Sequence, residues 1–400
     1  MKLNSAITIF SALAMAAGAE PAADQAKLVA ANTAFAFDLM HQIVPPKPDA
    51  NVFISPFSVS SVLQMVNTGA AGATKAEMQQ ALKTAGLPAD SLSPAFKSLD
   101  DQFTGRSDVI LNLANGLWIQ QGFSLKPAFV ADNRKFFQAE LADVDFGQPQ
   151  SAQAINDWAD QKTKGKILGV VQFPFPRLTR LVLANAIYFK GTWVEPFKKS
   201  LTRPRDFHPA NGPAKPMPMM LRAGSFAYQE TEDFQAVKLP YKGGLQMELY
   251  LPNTNSSPQK LLAGFVASGN WQNDIQHGFS RHEGTVILPK FKIQYQVTLN
   301  DPLKALGMKT AFADNADFSG IASEPLCISQ VKQKSYVAVN EEGTEAAAVT
   351  TVTMSANAVR MPPPDLFTMI LDRPFFFVIS DVGTGSILFM GIVNDPPAAD

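Results

Sequence analysis

The sequence predicts an α+β fold. Helix-like and strand-like segments are mixed along the chain rather than alternating, which argues against a doubly wound parallel sheet. No fixed-period repeat divides the chain, and the only compositional breaks are short proline clusters near Pro213 to Pro218 and Pro362 to Pro364. With 400 residues, 46% of them hydrophobic, it can bury a substantial core as one large domain or two ordinary ones.

The elements follow in order. Met1-Lys2 precedes an apolar stretch, Ala6 to Ala17, and Ala17-Gly18-Ala19 has the small-x-small form of a signal peptidase site. Residues 1–19 therefore read as a signal peptide cleaved after Ala19, too short to span a bilayer comfortably, and the protein as exported. Ala26 to Ile43 has helical spacing of Leu28, Phe35, Leu39 and Ile43, and Val44-Pro45-Pro46 stops it. Val52-Phe53-Ile54 reads as a short strand, and Ser55-Pro56 as an N-cap followed by proline at the first helical position. That helix carries Val59, Val62, Leu63 and Val66 on one side.

Leu111 to Gln120 reads as a strand, and Pro127 to Ala139 and Ala152 to Thr163 as helices. Leu181 to Phe189 is an apolar run of strand length, which predicts burial on both faces; Asn185 interrupts it and must find hydrogen-bond partners. Further strands are expected between Ser225 and Leu251, at Gly284 to Tyr295, Lys334 to Asn340, Phe375 to Ser380 and Gly385 to Ile392.

Charge and chemistry exclude several classes. Lys and Arg number 34 against 35 Asp and Glu, so no global field draws the chain to nucleic acid or an anionic membrane. Cys327 is alone, so no intramolecular disulfide exists; a small buried apolar role is the expectation, with a nucleophile as the alternative. His41, His208, His277 and His282 lack the spacing of a helical metal site. Gly69 to Lys75 has the wrong glycine spacing for a phosphate loop and reads as a helix C-terminus with a turn. Gly383-Thr384-Gly385 is a turn, and no nucleophile elbow occurs. Carboxylates are numerous, but nothing in the spacing pairs them into a catalytic site.

One segment fits no ordinary role. Ala346 to Val359 has no charge, proline or glycine. A surface loop would carry turn formers and charges, and an exposed strand of this composition invites aggregation.

Four motifs resolve this. Asn51-Val-Phe-Ile-Ser-Pro-Phe-Ser58, Leu183-Ala-Asn-Ala-Ile-Tyr-Phe-Lys-Gly-Thr-Trp193, Asn340-Glu-Glu-Gly-Thr-Glu-Ala-Ala-Ala348 and Leu371-Asp-Arg-Pro-Phe375 each resemble a serpin motif, in serpin order. The resemblance covers essentially the whole mature chain. It implies a serpin fold, three β-sheets with eight or nine helices, in one domain over residues 20–400. It implies a reactive-centre loop at about 341–364 that a serine or cysteine protease cuts and that then inserts as a central strand while the protease is still acyl-linked.

Loop composition agrees with that fate. Thr344, Ala346, Ala348, Thr350, Val352, Met354 and Ala356 would face one side of the inserted strand without charge, and Glu345, Ala347, Val349, Thr351, Thr353 and Ser355 the other. Ladder hydrogen bonds at ~0.5 to 1.5 kcal/mol each would release on the order of 10 kcal/mol, comparable to a domain's stability. Glu342, Gly343, Thr344, Glu345, Ala346, Ala347 and Ala348 form an inhibitory-type hinge by resemblance, the alternative being a non-inhibitory serpin with a binding or chaperone role.

By the same resemblance, Ser55, Ser58 and Asn185 belong to a hydrogen-bonded shutter beneath the sheet, where Gln333 stands at a position usually held by histidine. Trp193 and Lys290 match the residues of the breach at the top of the sheet. Counting from Gly343 places the scissile bond at Asn357-Ala358; counting back from Pro374 makes Arg360-Met361 the alternative. Ser91 to Arg106 holds only Lys97 and Arg106, too few cations for a heparin site. The expected protein is a monomer, secreted to the extracellular space or periplasm, with no cofactor, metal, nucleic-acid or membrane partner.

Overall fold

The chain begins with α1 (Ile7–Ile43), β1 (Val52–Ile54), α2 (Pro56–Asn67), α3 (Gly72–Ala81), α4 (Ala89–Thr104), β2 (Val109–Gln120), α5 (Pro127–Phe137), β3 (Glu140–Val144) and α6 (Pro149–Lys162). It continues with β4 (Leu181–Thr192), β5 (Arg203–Phe207), β6 (Lys215–Glu230), β7 (Phe234–Pro240), β8 (Leu245–Pro252), α7 (Pro258–Ser268), β9 (Ser280–Pro289), β10 (Phe291–Thr298) and α8 (Asn300–Ala305). The last strands are β11 (Gln330–Asn340), β12 (Gly343–Thr344), β13 (Phe367–Ile370), β14 (Phe375–Asp381) and β15 (Ile387–Val393). This is a computed structural model, and it describes residues 7–44, 50–269, 271, 276–344 and 366–397.

Local chemistry explains the N-terminal elements. α1 contains the expected helix and buries Leu28, Phe35 and Leu39 completely. Among the described residues no helix is long and apolar enough to cross a membrane. α2 starts as its sequence dictates, with Ser55 Oγ accepting from Ser58 N at 3.4 Å and Pro56 in the first turn. It is buried on every side, and two of its serines find partners there: Ser60 Oγ donates to Asn32 Oδ1 at 2.6 Å and Asn115 Nδ2 donates to Ser61 Oγ at 3.2 Å. The segment from Gly69 to Lys75 is the turn after α2 followed by the first turn of α3.

A six-stranded sheet runs in the order β10, β11, β12, β4, β2, β3, with β11 also paired directly to β4. As expected, β4 is buried on both faces, and its period of two sorts side chains between two cores. Leu181, Leu183, Ile187 and Phe189 enter the main core, whereas Val182, Ala184, Ala186 and Tyr188 pack beneath α6 with Trp118 and Trp158. The nine-stranded sheet has two bodies joined by β6: Ala227–Glu230 pairs with β7, and Met219–Tyr228 with β9. One body is β1, β15, β14, β8, β7 and β6; the other is β5, β6, β9 and β13. With the six-stranded sheet they make the three expected sheet bodies.

One expected strand divides. Gly284 to Tyr295 becomes β9 and β10, which belong to different sheets. Pro289 offers no backbone donor, and Lys290 N turns to Pro218 O at 2.9 Å, so the chain changes sheet there.

Candidate functional site

The functional region is built around the seam between β4 and β11. These strands pair in parallel from Gln330↔Val182 to Tyr336↔Tyr188. Above that level β12 enters between them, with Gly343↔Thr192 and Thr344↔Gly191 on one side and Asn340↔Gly343 and Val339↔Thr344 on the other. The described end of the hinge is therefore already seated as a strand at the head of the seam.

Residue chemistry fits this tight slot. Gly343 has φ +151°, and a Cβ there would lie 2.1 Å from Gly191 O, so only glycine passes at this point. Thr344 is fully buried, and its hydroxyl lies 2.7 Å from Tyr241 Oη. Tyr241 stacks on Trp193 with ring centroids 4.1 Å apart, and burial holds its phenol above the ordinary range, so it stays protonated.

Trp193 and Lys290, the two breach candidates, both touch the turn that precedes β12. Trp193 Nε1 donates to Asn340 O at 3.1 Å, and Trp193 N donates to Glu342 O at 3.0 Å. Lys290 Nζ pairs with Glu341 at 3.4 Å, and Thr202 Oγ1 donates to the same carboxylate at 2.8 Å. Glu342 takes Lys199 Nζ at 2.7 Å, and that contact raises the lysine pKa through its hydrogen bond and then its charge. The hinge turn is thus held by two carboxylate–ammonium pairs, one on a largely buried Glu341 and one at the surface, where such pairs contribute little.

Lower down, the four proposed shutter residues come together. Register puts Asn115, Asn185 and Gln333 abreast on β2, β4 and β11, above the N-terminus of α2. Gln333 Nε2 donates to Asn185 Oδ1 at 2.7 Å and to Ser55 O at 3.0 Å, and Gln333 Oε1 accepts from Ser55 N at 3.0 Å. Asn185 Nδ2 faces Ser58 Oγ and donates to Asn115 Oδ1 at 2.8 Å. Ser55 Oγ donates to Leu388 O at 2.7 Å, tying the cluster to the other sheet. Glutamine supplies both donors and an acceptor, so the network is complete without an imidazole.

Sequence reasoning missed several participants. Asn115 was detectable, because it interrupts the apolar strand Leu111 to Gln120 as Asn185 interrupts its own. Tyr241, Lys199 and Thr202 carry no such signal. Of the expected hinge, Glu345, Ala346, Ala347 and Ala348 lie outside the described residues, as do both reactive-bond candidates, Asn357-Ala358 and Arg360-Met361.

α6 and the segment after it lie across the seam. Asn156 clamps Val171 through two bonds of 3.0 Å, Gln296 Nε2 on β10 donates to Val170 O at 2.8 Å, and Lys334 on β11 donates to Leu168 O. Any strand lengthening β12 downward has to displace this cover.

Other candidate chemistry is quiet. Cys327 is half-buried, and burial, then the Asp314 charge, push its thiol pKa up, away from the thiolate. Among the described residues no three His, Cys, Asp or Glu side chains are placed to hold a metal. Lys97 pairs with Asp101 at 2.8 Å, and Arg106 with Asp381, so neither cation next to α4 is free.

Comparison with known proteins agrees with this geometry. The family profile of Serpin, serine protease inhibitor, matches residues 30–396. A serpin-like protein of Thermococcus kodakarensis is 38% identical over 386 residues, covering 92% of this chain and 86% of its own. A leukocyte elastase inhibitor of Sus scrofa is 35% identical, covering 92% of this chain and all of its own length, 100%. The crystal structure of Serpin48 from Tenebrio molitor superposes with TM-score 0.82 at 31% identity, covering 94% of this chain and 98% of that one.

Proposed function

We propose that this chain, which belongs to the serpin family, is an exported suicide inhibitor of a serine or cysteine protease. The observation that carries the reading is the seated hinge: Gly343 and Thr344 already occupy the head of a seam whose strands pair directly below them. A relative named as an elastase inhibitor supports the same reading.

The mechanism is mechanical rather than catalytic. The protease attacks the loop and becomes acyl-linked at Asn357, or alternatively at Arg360; cleavage frees the arm behind it, which lengthens β12 between β4 and β11. Continuing the observed register, Thr350 arrives opposite both Asn185 and Gln333. Thr344, Ala346, Ala348, Thr350, Val352, Met354 and Ala356 then turn to the main core, where Thr344 already points at Tyr241. New ladder bonds, on the order of 10 kcal/mol in sum, drive the movement and carry the protease away before its acyl link is hydrolysed. Ser55, Ser58, Asn185 and Gln333 resist premature parting, and Trp193 and Lys290 hold the entry. The protein acts as a monomer without cofactor, heparin, nucleic acid or membrane, after loss of residues 1–19.

The test is incubation of the mature protein with trypsin-like, elastase-like, asparagine-specific and papain-like proteases, followed by denaturing gels and the mass of the released peptide. A detergent-stable complex and a peptide starting at Ala358 or Met361 are expected. Clean cleavage without a complex by every protease would sink the inhibitor reading in favour of a non-inhibitory serpin.

A further inference from the structure

Where the chain enters β13 after the loop, a cavity of about 490 Å³ opens beside Leu366 and Phe367, with Tyr228, Glu230, Ser280 and His282 across from them. Its wall is set by packing. Phe367 stacks on Tyr228 with ring centroids 3.8 Å apart, and His282 meets the Tyr228 ring edge-on at 5.7 Å. Register explains the fit: Phe367 lies opposite Gly284, where a Cβ would come within 2.2 Å of its ring. Tyr228 is 4% exposed; its Oη donates to Glu230 Oε2 at 2.8 Å and accepts from Gln235 Nε2 at 2.8 Å. The Glu230 carboxylate is thereby held in place at the mouth of the cavity.

Toward solvent the same wall is apolar and negative. Leu366 is 66% exposed, and Glu232 and Asp233 follow Glu230 as exposed acids in the next turn. Arg281 alternates to the other face of β9, where its Nε donates to Ser225 Oγ at 2.8 Å, so it does not neutralise Glu230.

Reach decides the occupant. Asn357 and Arg360 precede Leu366 by nine and six residues. Fully extended, those segments span at most ~32 and ~21 Å. A protease domain of ~250 residues is about 45 Å across, so one engaged at either bond overhangs Leu366.

We infer that this wall is a second docking site for the target protease, taking a surface loop of that enzyme whose arginine or lysine pairs with Glu230 while its stem packs on Leu366. The occupant rests on the inhibitor reading. Cleavage leaves the residues after the cut attached to β13, while the acyl-linked enzyme travels with the arm before it. The contact therefore exists only in the encounter complex, and it sets the rate of attack rather than the permanence of the trap.

The test is the second-order rate of loop attack by the protease that attacks fastest, for wild type, Glu230→Lys, Glu230→Gln and Leu366→Ser. The rate is read from complex formation or, where no complex forms, from clean cleavage. Glu230→Lys should slow attack at least tenfold at low salt, and most of that loss should vanish in 1 M salt, where charges are screened beyond ~3 Å. Glu230→Gln still accepts from Tyr228 and should slow attack several-fold, which keeps the test open if the lysine variant does not fold. Leu366→Ser should slow it several-fold at either salt. The number of inhibitor molecules consumed per trapped protease should not change. Wild-type rates in the variants, or a Glu230→Lys loss that salt leaves untouched, would overturn the docking site. Clean cleavage that shows these rate losses would overturn the inhibitor reading and leave the docking site standing, and no loop attack by any protease would overturn both.

Discussion

Replacing Gln333 with leucine removes the bridge between β11, β4 and α2 while nearly conserving volume. Two buried groups lose their partners: Ser55 N, which donates to Gln333 Oε1, and Asn185 Oδ1, which accepts from Gln333 Nε2. Ser55 O keeps Val59 N at 3.1 Å and is not orphaned. At ~1 to 3 kcal/mol for each abandoned group, Gln333→Leu should cost about 2 to 6 kcal/mol, a large share of the 5–15 kcal/mol typical of a domain. The cleaved form should respond differently, because under the proposed function an inserted strand would already have parted Asn185 from Gln333. Only Ser55 N then loses its partner, and the loss should fall to roughly half. Urea unfolding of the intact and cleaved proteins reads both values. A wild-type midpoint for intact Gln333→Leu, or the same loss in both forms, would refute the reasoning.

Three further perturbations probe the same structure. Thr350→Val removes the hydroxyl that register brings to Asn185 and Gln333, so it should leave the intact protein unchanged and lower the cleaved form by ~1 to 3 kcal/mol, measured by urea midpoints. Gly343→Ala forces a Cβ to within 2.1 Å of Gly191 O and should expel the hinge from the seam, which the fluorescence of Trp193 would report because its ring bonds Asn340 O. Asp100 on α4 has its carboxyl pushed from 3.8 up to about 6, first by burial and then by the Asp101 charge. The folded state therefore holds more protons than the unfolded between those values, so stability falls as pH rises through that window. Asp100→Asn should gain ~1 to 2 kcal/mol at pH ~8 after allowance for screening and nothing below pH ~4, read from urea midpoints at the two values.

Parts of the site were visible in the chain. Ser55-Pro56 announced the start of α2, and Asn185 announced itself as an amide in an apolar strand. Asn115 gave the same signal and was passed over, while α7 repeats the serine–proline start at Ser257-Pro258, with Ser257 Oγ accepting from Lys260 N at 3.2 Å. Gln333 was placed only through family resemblance, since a glutamine in a strand with Lys332 and Lys334 reads as surface. It is instead 1% exposed, because β11 is covered by α6's strap on one face and by α2 on the other. Glu341 reads as one of two equivalent hinge acids, and only Lys290 and Thr202 make it the buried one.

What the sequence determined alone is local: helix caps, the two-faced apolar run of β4, the chargeless segment from Ala346 to Val359 and the glycine at the hinge. Each follows from backbone preference or from a period that neighbouring residues set among themselves. The tertiary structure decided the rest. A period of two assigns a side chain to a face but not to a partner strand, so the alignment of Asn115, Asn185 and Gln333 exists only once β2, β4 and β11 dock in register. The seam opens where β12 enters because Gly343 and Thr344 fit between two backbones far apart in sequence, and no local pattern encodes that distance.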